Sequence, residues 1–528
     1  MHRIAAGVFC ALALFSSPSS AQTDWKKGGT CYEVFVRSFY DSDGDGIGDL
    51  KGLIQKLDYI NDGNRHSSRS LGARCIWLMP IAESPSYHGY DVTNYYRVNA
   101  QYGTNDDFKN LIAQAHRRGI KVLVDLVLNH ASSEHPFFQE ALHNPASAHR
   151  DWFRWSATEP AGQGGWHKSP VRNEYYYGFF WSGMPDLNYE NPAVREEAKK
   201  VATFWLREMG VDGFRLDAIP YLVEENGQQM HTAGTHAFLR EFAAHVRSVA
   251  PKAFTIGEVW DSTGAMLAYY PDQLDAHFAF EVSNAIIDAV RSGSMKGLFP
   301  PVLRLQRELP ANRWSPFLRN HDQTRTMTEL GGSASRAKLA ATLLLTFPGV
   351  PFVYYGEEIG MTGDKPDPRL RTPMQWTGGH AGGFTRGEAW ESLQTDAGLT
   401  NVDVENRDQS SLLNLYRRLI HLRAQNPDLA SGELVSLDAK DTTVAAYVRR
   451  SRDHAILVVA NIGLSSLSNV KLSSLGRLLP PGLYNARNLL GRSHGASLRI
   501  GADGKIKDYV PLPSLAPLES YLFQFSRR

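Results

Sequence analysis

KVLVDLVLNH, residues 121–130, is the stretch whose reading decides the fold. It is an almost unbroken apolar run of strand length that ends on the polar pair Asn129-His130. A strand in a parallel sheet is covered by helices on both faces and therefore reads as continuous apolar sequence, not as alternation. Seven further runs of this kind lie on either side of it. They are CYEVFVRSF (31–39), ARCIWLMPI (73–81), VDGFRLDA (211–218), AFTIGEVW (253–260), the weaker DAHFAF (275–280), WSPFLRNHD (314–322) and VPFVYYGEE (350–358). Helical patterns, such as those at 104–118 and 192–209, fall between them. Eight strand–helix units predict an α/β protein built as a (β/α)8 TIM barrel.

Two stretches depart from that rhythm. Residues 131–195 are too many for an ordinary strand-to-helix loop and are rich in Trp, Tyr, Gly and Pro, which predicts a small domain inserted after strand 3. Beyond a helix at 410–425 the pattern changes to short alternating runs such as TVAAYVRR (443–450) and HAILVVAN (454–461). These predict a C-terminal antiparallel β-sandwich domain. The expected organisation is a leader at 1–21, barrel at 22–130, insert at 131–195, barrel again at 196–430 and a β domain at 431–528.

The chain has 528 residues, 42% hydrophobic and 21% charged, ordinary for a globular protein. Lys and Arg number 56 against 55 Asp and Glu, so the net charge of +1 gives no electrostatic reason to expect nucleic acid as a partner. At the N-terminus, His2 and Arg3 precede an apolar run at 4–15, and Ser19 and Ala21 supply small residues for cleavage. That is the pattern of a secretory signal, implying a periplasmic or secreted protein; the alternative is a buried N-terminal helix. Cys10 lies inside the apolar run and lacks the context of a lipoprotein signal. No membrane anchor is expected: the best other apolar segment, 343–355, is broken by Pro348 and Pro351. Cys31 and Cys75 remain after export, either as a disulfide or as two buried thiols.

Active sites of such barrels lie at the C-terminal ends of the strands. Four predicted strands end in acids there: Asp125 in the third, Asp217 in the fourth, Glu258 in the fifth and Asp322 in the seventh. Strand side chains alternate, so Arg215 and Asp217 share a face, and a guanidinium beside a carboxylate keeps it ionised, as a nucleophile requires. Glu258 follows the apolar AFTI and is flanked by Val259 and Trp260, surroundings that raise a carboxyl pKa toward that of a general acid. Two carboxyls across a cleft are the minimum for glycoside hydrolysis, roughly 5–5.5 Å apart in retaining enzymes. A single acid of this kind is more simply a structural ion pair; four at four strand ends of one barrel point to chemistry.

DLVLNH (125–130), GFRLDA (213–218), GEVW (257–260) and FLRNHD (317–322), in this order, resemble the four signature regions of the α-amylase family of glycoside hydrolases, and MPDLN (184–188) resembles its fifth. The resemblance spans the chain after the leader. It implies a retaining mechanism in which Asp217 is the nucleophile, Glu258 the acid/base and Asp322 the carboxylate that holds and distorts the sugar. It implies sugar-binding roles for Arg215, His130 and His321, support of the cluster by Asp125, and a stacking role under the reacting glucose for Tyr90. The subgroup is intermediate. GYDVTNYY (89–96), RTPMQW (371–376) and the Asp-rich first loop resemble the oligo-1,6-glucosidase and α-glucosidase branch. MPDLN is an intermediate form of that branch's QPDLN, and YIND (59–62) and WLMPIAESPSYHGYD (77–91) resemble secreted bacterial α-amylases of the intermediate group.

Pro220 and Tyr221 stand where typical α-amylases carry Lys-His, which argues against their interdomain calcium site. The loop Asp41-Ser-Asp43-Gly-Asp45-Gly-Ile47-Gly-Asp49 instead offers oxygens at alternate positions, as a hard cation requires. It is not an EF-hand, because position twelve is Gly52. It reads as a solvated acidic turn or a Ca2+ site, and the resemblance implies bound Ca2+. The leading expectation is hydrolysis of α-1,4-linked glucans and maltooligosaccharides. The alternatives are an exo-acting α-glucosidase, with Asp91 paired to an arginine such as Arg407 to close the site, and an α-glucosyl transferase of trehalose-synthase type. A transporter-associated, non-catalytic relative is disfavoured by the full acid set.

Overall fold

The eight apolar runs form eight parallel strands in the computed structural model, which describes residues 24–528 apart from 163, 452, 453, 492 and 493. They are β1 (Cys31–Val34), β2 (Cys75–Leu78), β3 (Lys121–Leu126), β4 (Gly213–Leu216), β5 (Phe254–Gly257), β6 (Ala276–Phe278), β7 (Trp314–Ser315) and β8 (Phe352–Tyr354). From β1 to β7 each pairs with its sequence neighbours, β8 pairs with β1, and β7 and β8 are the two ends of the sheet. The ring closes where the Val350 N–H donates to the Trp314 carbonyl (3.0 Å) and the Phe352 N–H to that of Pro316 (2.9 Å). At Gly213, φ is +153° and a Cβ would lie 1.8 Å from the Phe254 carbonyl oxygen, so only glycine lets β4 lie this close to β5. The predicted leader at 1–21 lies outside the described residues.

Helix starts follow local chemistry. Thr104 and Asp107 form a capping box on helix Asn105–Arg117, and Asn191 caps helix Pro192–Thr203, whose first residue is proline. Directly opposed on neighbouring strands, Cys31 and Cys75 form a disulfide. Among the described residues no helix is long and apolar enough to cross a membrane.

After β3 the chain makes helix Pro136–His143 and a three-stranded sheet with Tyr175–Tyr177 at its centre, packed on a small core that includes Phe138, Leu142, Phe153 and Tyr176. It returns to the end of β3, where the Leu187 N–H donates to the Asn129 carbonyl (2.9 Å) and Asp186 bridges to His130. The C-terminal region is a six-stranded antiparallel sheet. On its strand Val444–Arg450, Val444, Ala446 and Val448 face the domain's own core, and Ala445 and Tyr447 join the barrel core. Burial on both faces is why TVAAYV carries no polar alternation.

Candidate active site

Register sets the first contacts of the site. Asp125 lies directly opposite Arg215 across the β3–β4 pair, and Leu216 lies opposite Gly257 across β4–β5, so the residues that follow, Asp217 and Glu258, leave the sheet side by side. Arg215, 1% exposed, joins all three acids. Its Nη1 lies 3.1 Å from both Asp125 carboxylate oxygens and 2.5 Å from Asp217 Oδ1, and its Nη2 lies 2.8 Å from Glu258 Oε2. Burial works against the guanidinium charge, but Asp125 and Glu258 overcome it and raise the Arg215 pKa well above its usual value. The guanidinium carbon sits 5.1 Å from the Trp77 ring, a cation–π contact that holds the planar group in place.

Burial raises the Glu258 carboxyl above the usual carboxylate range; Arg215 opposes this, and the Asp217 and Asp322 charges add to it. The Ala218 N–H donates to Glu258 Oε2 (3.2 Å). Ala218 itself is left-handed, at φ 45° and ψ 35°, a sparsely populated conformation for a residue with a Cβ.

Asp322 is held from two sides. His321 Nε2 lies 3.1 Å from its Oδ2, and Arg371 Nη2 donates to Oδ1 at 2.8 Å. Burial alone would raise this carboxyl, but His321 and Arg371 hold it far below the carboxylate range. His321 also bonds through Nδ1 to Glu33 Oε1 (2.6 Å), and its Nε2 lies 2.6 Å from the Tyr90 hydroxyl, which donates to Asp125 Oδ2 (3.1 Å). Burial would discharge the imidazole, but Asp322 and Glu33 raise it to about 9. Tyr90 stacks on His321 with ring centroids 5.6 Å apart.

The structure therefore gathers Asp125, Arg215, Asp217, Glu258, Tyr90, His321 and Asp322 into one connected cluster. His130 is buried beside Phe180, ring centroids 5.4 Å apart, with its Nε2 unpaired; burial lowers its pKa and leaves a neutral imidazole. Exposed Phe180, Trp181 and Trp260 lie close to these residues in sequence or space, and Trp260 stacks on Phe280 (5.2 Å, 11°). Asp91 accepts the hydroxyls of Ser84 (2.7 Å) and Ser86. The Asp91–Arg407 pair named for the exo-acting alternative is not formed: Asp91 finds its donors locally, and Arg407 is exposed at the end of helix Val402–Arg407.

Glu33 and the clamping role of Arg371 were missed by sequence reasoning. Glu33 did leave a signal, a lone acid inside the apolar run of β1, since a charge in a strand buried on both faces needs a partner. Nothing near RTPMQW in the sequence says that its arginine reaches Asp322, 49 positions away.

A second acidic group lies in the loop 41–49. Carboxylate oxygens of Asp41, Asp43 and Asp49 lie within 4.8 Å of one another. Asp41 accepts backbone N–H bonds from Asp43, Gly44 and Gly46, and Asp49 accepts from Ser42 and Gly52. The Asp45 carboxylate instead accepts from the Ile47 N–H (2.8 Å), and Ile47 can offer a cation only its backbone carbonyl. Among the described residues no Lys or Arg ion-pairs with the converging trio. Three clustered carboxylates without a cationic side chain fit a hard divalent ion.

A family model described as "Alpha amylase, catalytic domain" matches residues 33–432. Alpha-amylase 3 of Dictyoglomus thermophilum is 41% identical over 83% of this chain and 85% of its own length. The trehalose synthase/amylase of Mycolicibacterium smegmatis is 35% identical over 83% of this chain and 84% of its own, and the oligo-1,6-glucosidase of Parageobacillus thermoglucosidasius 31% identical over 83% and 90%. The crystal structure of an alpha-amylase from H. orenii superposes with a TM-score of 0.82 at 38% identity, covering 95% of this chain and all of the other.

Proposed function

The chain belongs to the α-amylase family of glycoside hydrolases, and from that premise we propose that it cleaves α-1,4-glucosidic bonds in starch-type glucans and maltooligosaccharides with retention of configuration. The observation that carries this is the shared guanidinium: one prong of Arg215 holds Asp217 and the other Glu258. In the proposed reaction Glu258 protonates the glycosidic oxygen as Asp217 attacks the anomeric carbon. The bond to the leaving sugar breaks and a glycosyl–Asp217 ester forms. Glu258, now a carboxylate, takes a proton from water, which opens the ester and frees Asp217. Asp322, kept anionic by His321 and Arg371, takes hydroxyls of the distorted sugar, and Tyr90 supplies an apolar face. Initial products followed by NMR should be α-anomers; an initial β-anomer would overturn the retaining reading.

A second reading, net glucosyl transfer, is favoured by the match to a relative named as both trehalose synthase and amylase. A product time course on starch, maltotriose, maltose and isomaltose separates the two: glucose and shorter chains mean hydrolysis, trehalose or longer sugars mean transfer. An exo-acting α-glucosidase would release glucose alone from maltotriose and leave starch nearly untouched.

We also propose a structural Ca2+ at Asp41, Asp43 and Asp49, with Asp45 and the Ile47 carbonyl as further donors. It would tie the β1 loop together while taking no part in the bond cleavage. Export is proposed on the sequence of the leader and is supported by the Cys31–Cys75 bridge, since disulfides persist in oxidising compartments.

A further inference from the structure

We propose that the cleft between helices Leu50–Ile60 and Leu412–Gln425 is a second ligand site, one that binds a small polyhydroxylated oxyanion such as a sugar phosphate or sugar acid. The cleft has a volume of about 1070 Å3, and none of its lining residues belongs to the carboxylate cluster. Its floor is Arg417, only 5% exposed. Arg417 spends Nη1 on two neutral acceptors, Asn406 Oδ1 (2.6 Å) and Asn414 Oδ1 (3.2 Å), and its Nε is buried without a partner. Among the described residues no carboxylate comes within ion-pair distance of it. Burial lowers its pKa, and Tyr59, whose ring centroid lies 5.8 Å from the guanidinium carbon, and Glu358 only partly offset this. A desolvated guanidinium without a counter-ion is costly, and a bidentate oxyanion is the group that matches its fork.

The other charges at the cleft point the same way. Its two acids are already engaged: Asp58 with Arg118 Nε (2.7 Å), and Asp62 with the hydroxyls of Ser67 (2.6 Å) and Ser70 (3.3 Å). Arg69 and Arg418 are exposed at the rim, and their guanidinium groups make no ion pair among the described residues. Asp62 keeps its negative charge, but Arg69, Arg417 and Arg418 outnumber it, so the balance of charge facing the cleft is cationic. Gln409 and Gln425 on the walls add amide donors and acceptors suited to hydroxyls. The loop that forms one wall is pinned to the helix by Gln425 Nε2 donating to the Arg65 carbonyl (2.8 Å) and by His421 Nε2 at 3.2 Å from that of Ser70. The cleft is thus already shaped before any ligand enters.

Titration calorimetry of the full chain with glucose 6-phosphate, glucuronate, inorganic phosphate and glucose tests this. Glucose 6-phosphate and glucuronate should each saturate one site, inorganic phosphate should bind it more weakly, and glucose should not bind it. The exposed pair Arg69→Ala/Arg418→Ala, and separately Arg417→Lys, should weaken sugar-anion binding by about tenfold or more, while Asp322→Asn leaves it unchanged. The proposal is overturned if no sugar anion saturates a site, if binding survives both sets of arginine variants, or if Asp322→Asn abolishes it, which would place the anion among the catalytic carboxylates.

Discussion

The strand-end cluster and the loop 41–49 both crowd carboxylates together, but they answer the repulsion in opposite ways. At the strand ends the counter-charge is built in. Arg215 serves Asp125, Asp217 and Glu258, while Arg371 and His321 serve Asp322. In the loop the acids are met by backbone N–H groups and the hydroxyls of Thr385 and Ser42, which carry only partial charge, so among the described residues no cationic side chain balances Asp41, Asp43 and Asp49. A site with internal cations can hold its acids poised for chemistry in the absence of any ion. A site with only dipolar donors leaves a charge that a cation from solution would complement.

The largest effect should come from the two acids on Arg215. Asp217→Asn and Glu258→Gln each keep shape and hydrogen-bonding capacity but remove the nucleophile or the proton. Steady-state rates on maltotriose should fall about 10³-fold or more with the circular dichroism spectrum unchanged. Activity within tenfold of the parent in either variant would end the comparison, because these acids would then be structural, like those of the loop.

Next in size is the effect of Glu33, which among the described residues bonds to the cluster through His321 alone. The groups facing that imidazole are Glu33, Asp322 and Tyr90, with the Trp77 ring at 5.6 Å. Its pKa is raised from 6.5 to about 9, so the stability contributed by the charged ring is fully present below 6.5 and lost as pH rises through about 9. In Glu33→Gln the folded-state pKa falls. The alkaline limb of kcat/KM on maltotriose should move to lower pH, and Glu33→Asp should restore part of the shift. A uniform loss of rate with an unmoved limb would mean that Glu33 only fills space.

A smaller effect is expected in the loop. If an ion supplies its missing charge, chelation should lower the melting temperature by a few degrees and leave the activity of the still-folded enzyme largely intact. Asp43→Ala/Asp45→Ala should melt lower and no longer respond to chelator. An identical melting temperature in all four conditions would make the loop an empty turn.

The smallest effect concerns Ala218, whose backbone N–H serves the strand-end cluster as such groups serve the loop. In the α-glucosidase branch that the chain resembles, Val at this position accompanies α-1,6 cleavage. We expect the parent to prefer maltotriose over isomaltotriose and Ala218→Val to narrow that preference by about 1–3 kcal/mol in kcat/KM. The left-handed backbone should also cost the valine variant about 1 kcal/mol or more of stability. An unchanged substrate ratio would assign Ala218 to backbone geometry alone.

These contrasts also mark what the sequence discloses. All eight barrel strands are legible, including β6 and β7, which reduce to Ala276–Phe278 and Trp314–Ser315, because each retains an apolar run before a polar end. The acids are legible because strand periodicity puts Arg215 and Asp217 on one face. Contacts that depend on how distant segments meet are not. The Glu33–His321 bond spans 288 positions, and the Asp91–Arg407 pair that belongs to the exo-acting alternative is not formed, because local serines already satisfy Asp91. Cys31 and Cys75 left two outcomes open until the β1–β2 register set them face to face. The turned-in carboxylate of Asp45 likewise depends on a backbone path that alternate spacing does not specify.

Among the described residues Arg215 is the cation that ion-pairs with all three of Asp125, Asp217 and Glu258, which makes their fates interdependent. Neutralising any one acid leaves the guanidinium's charge to the other two, so the cost of a second change depends on the first. Asp217→Asn and Glu258→Gln together should cost far less than the product of their separate losses, as residues that act as a unit do. For a lineage or an engineer seeking a new activity, this part of the molecule is a single heritable character: its acids change in concert with Arg215 or stay as they are.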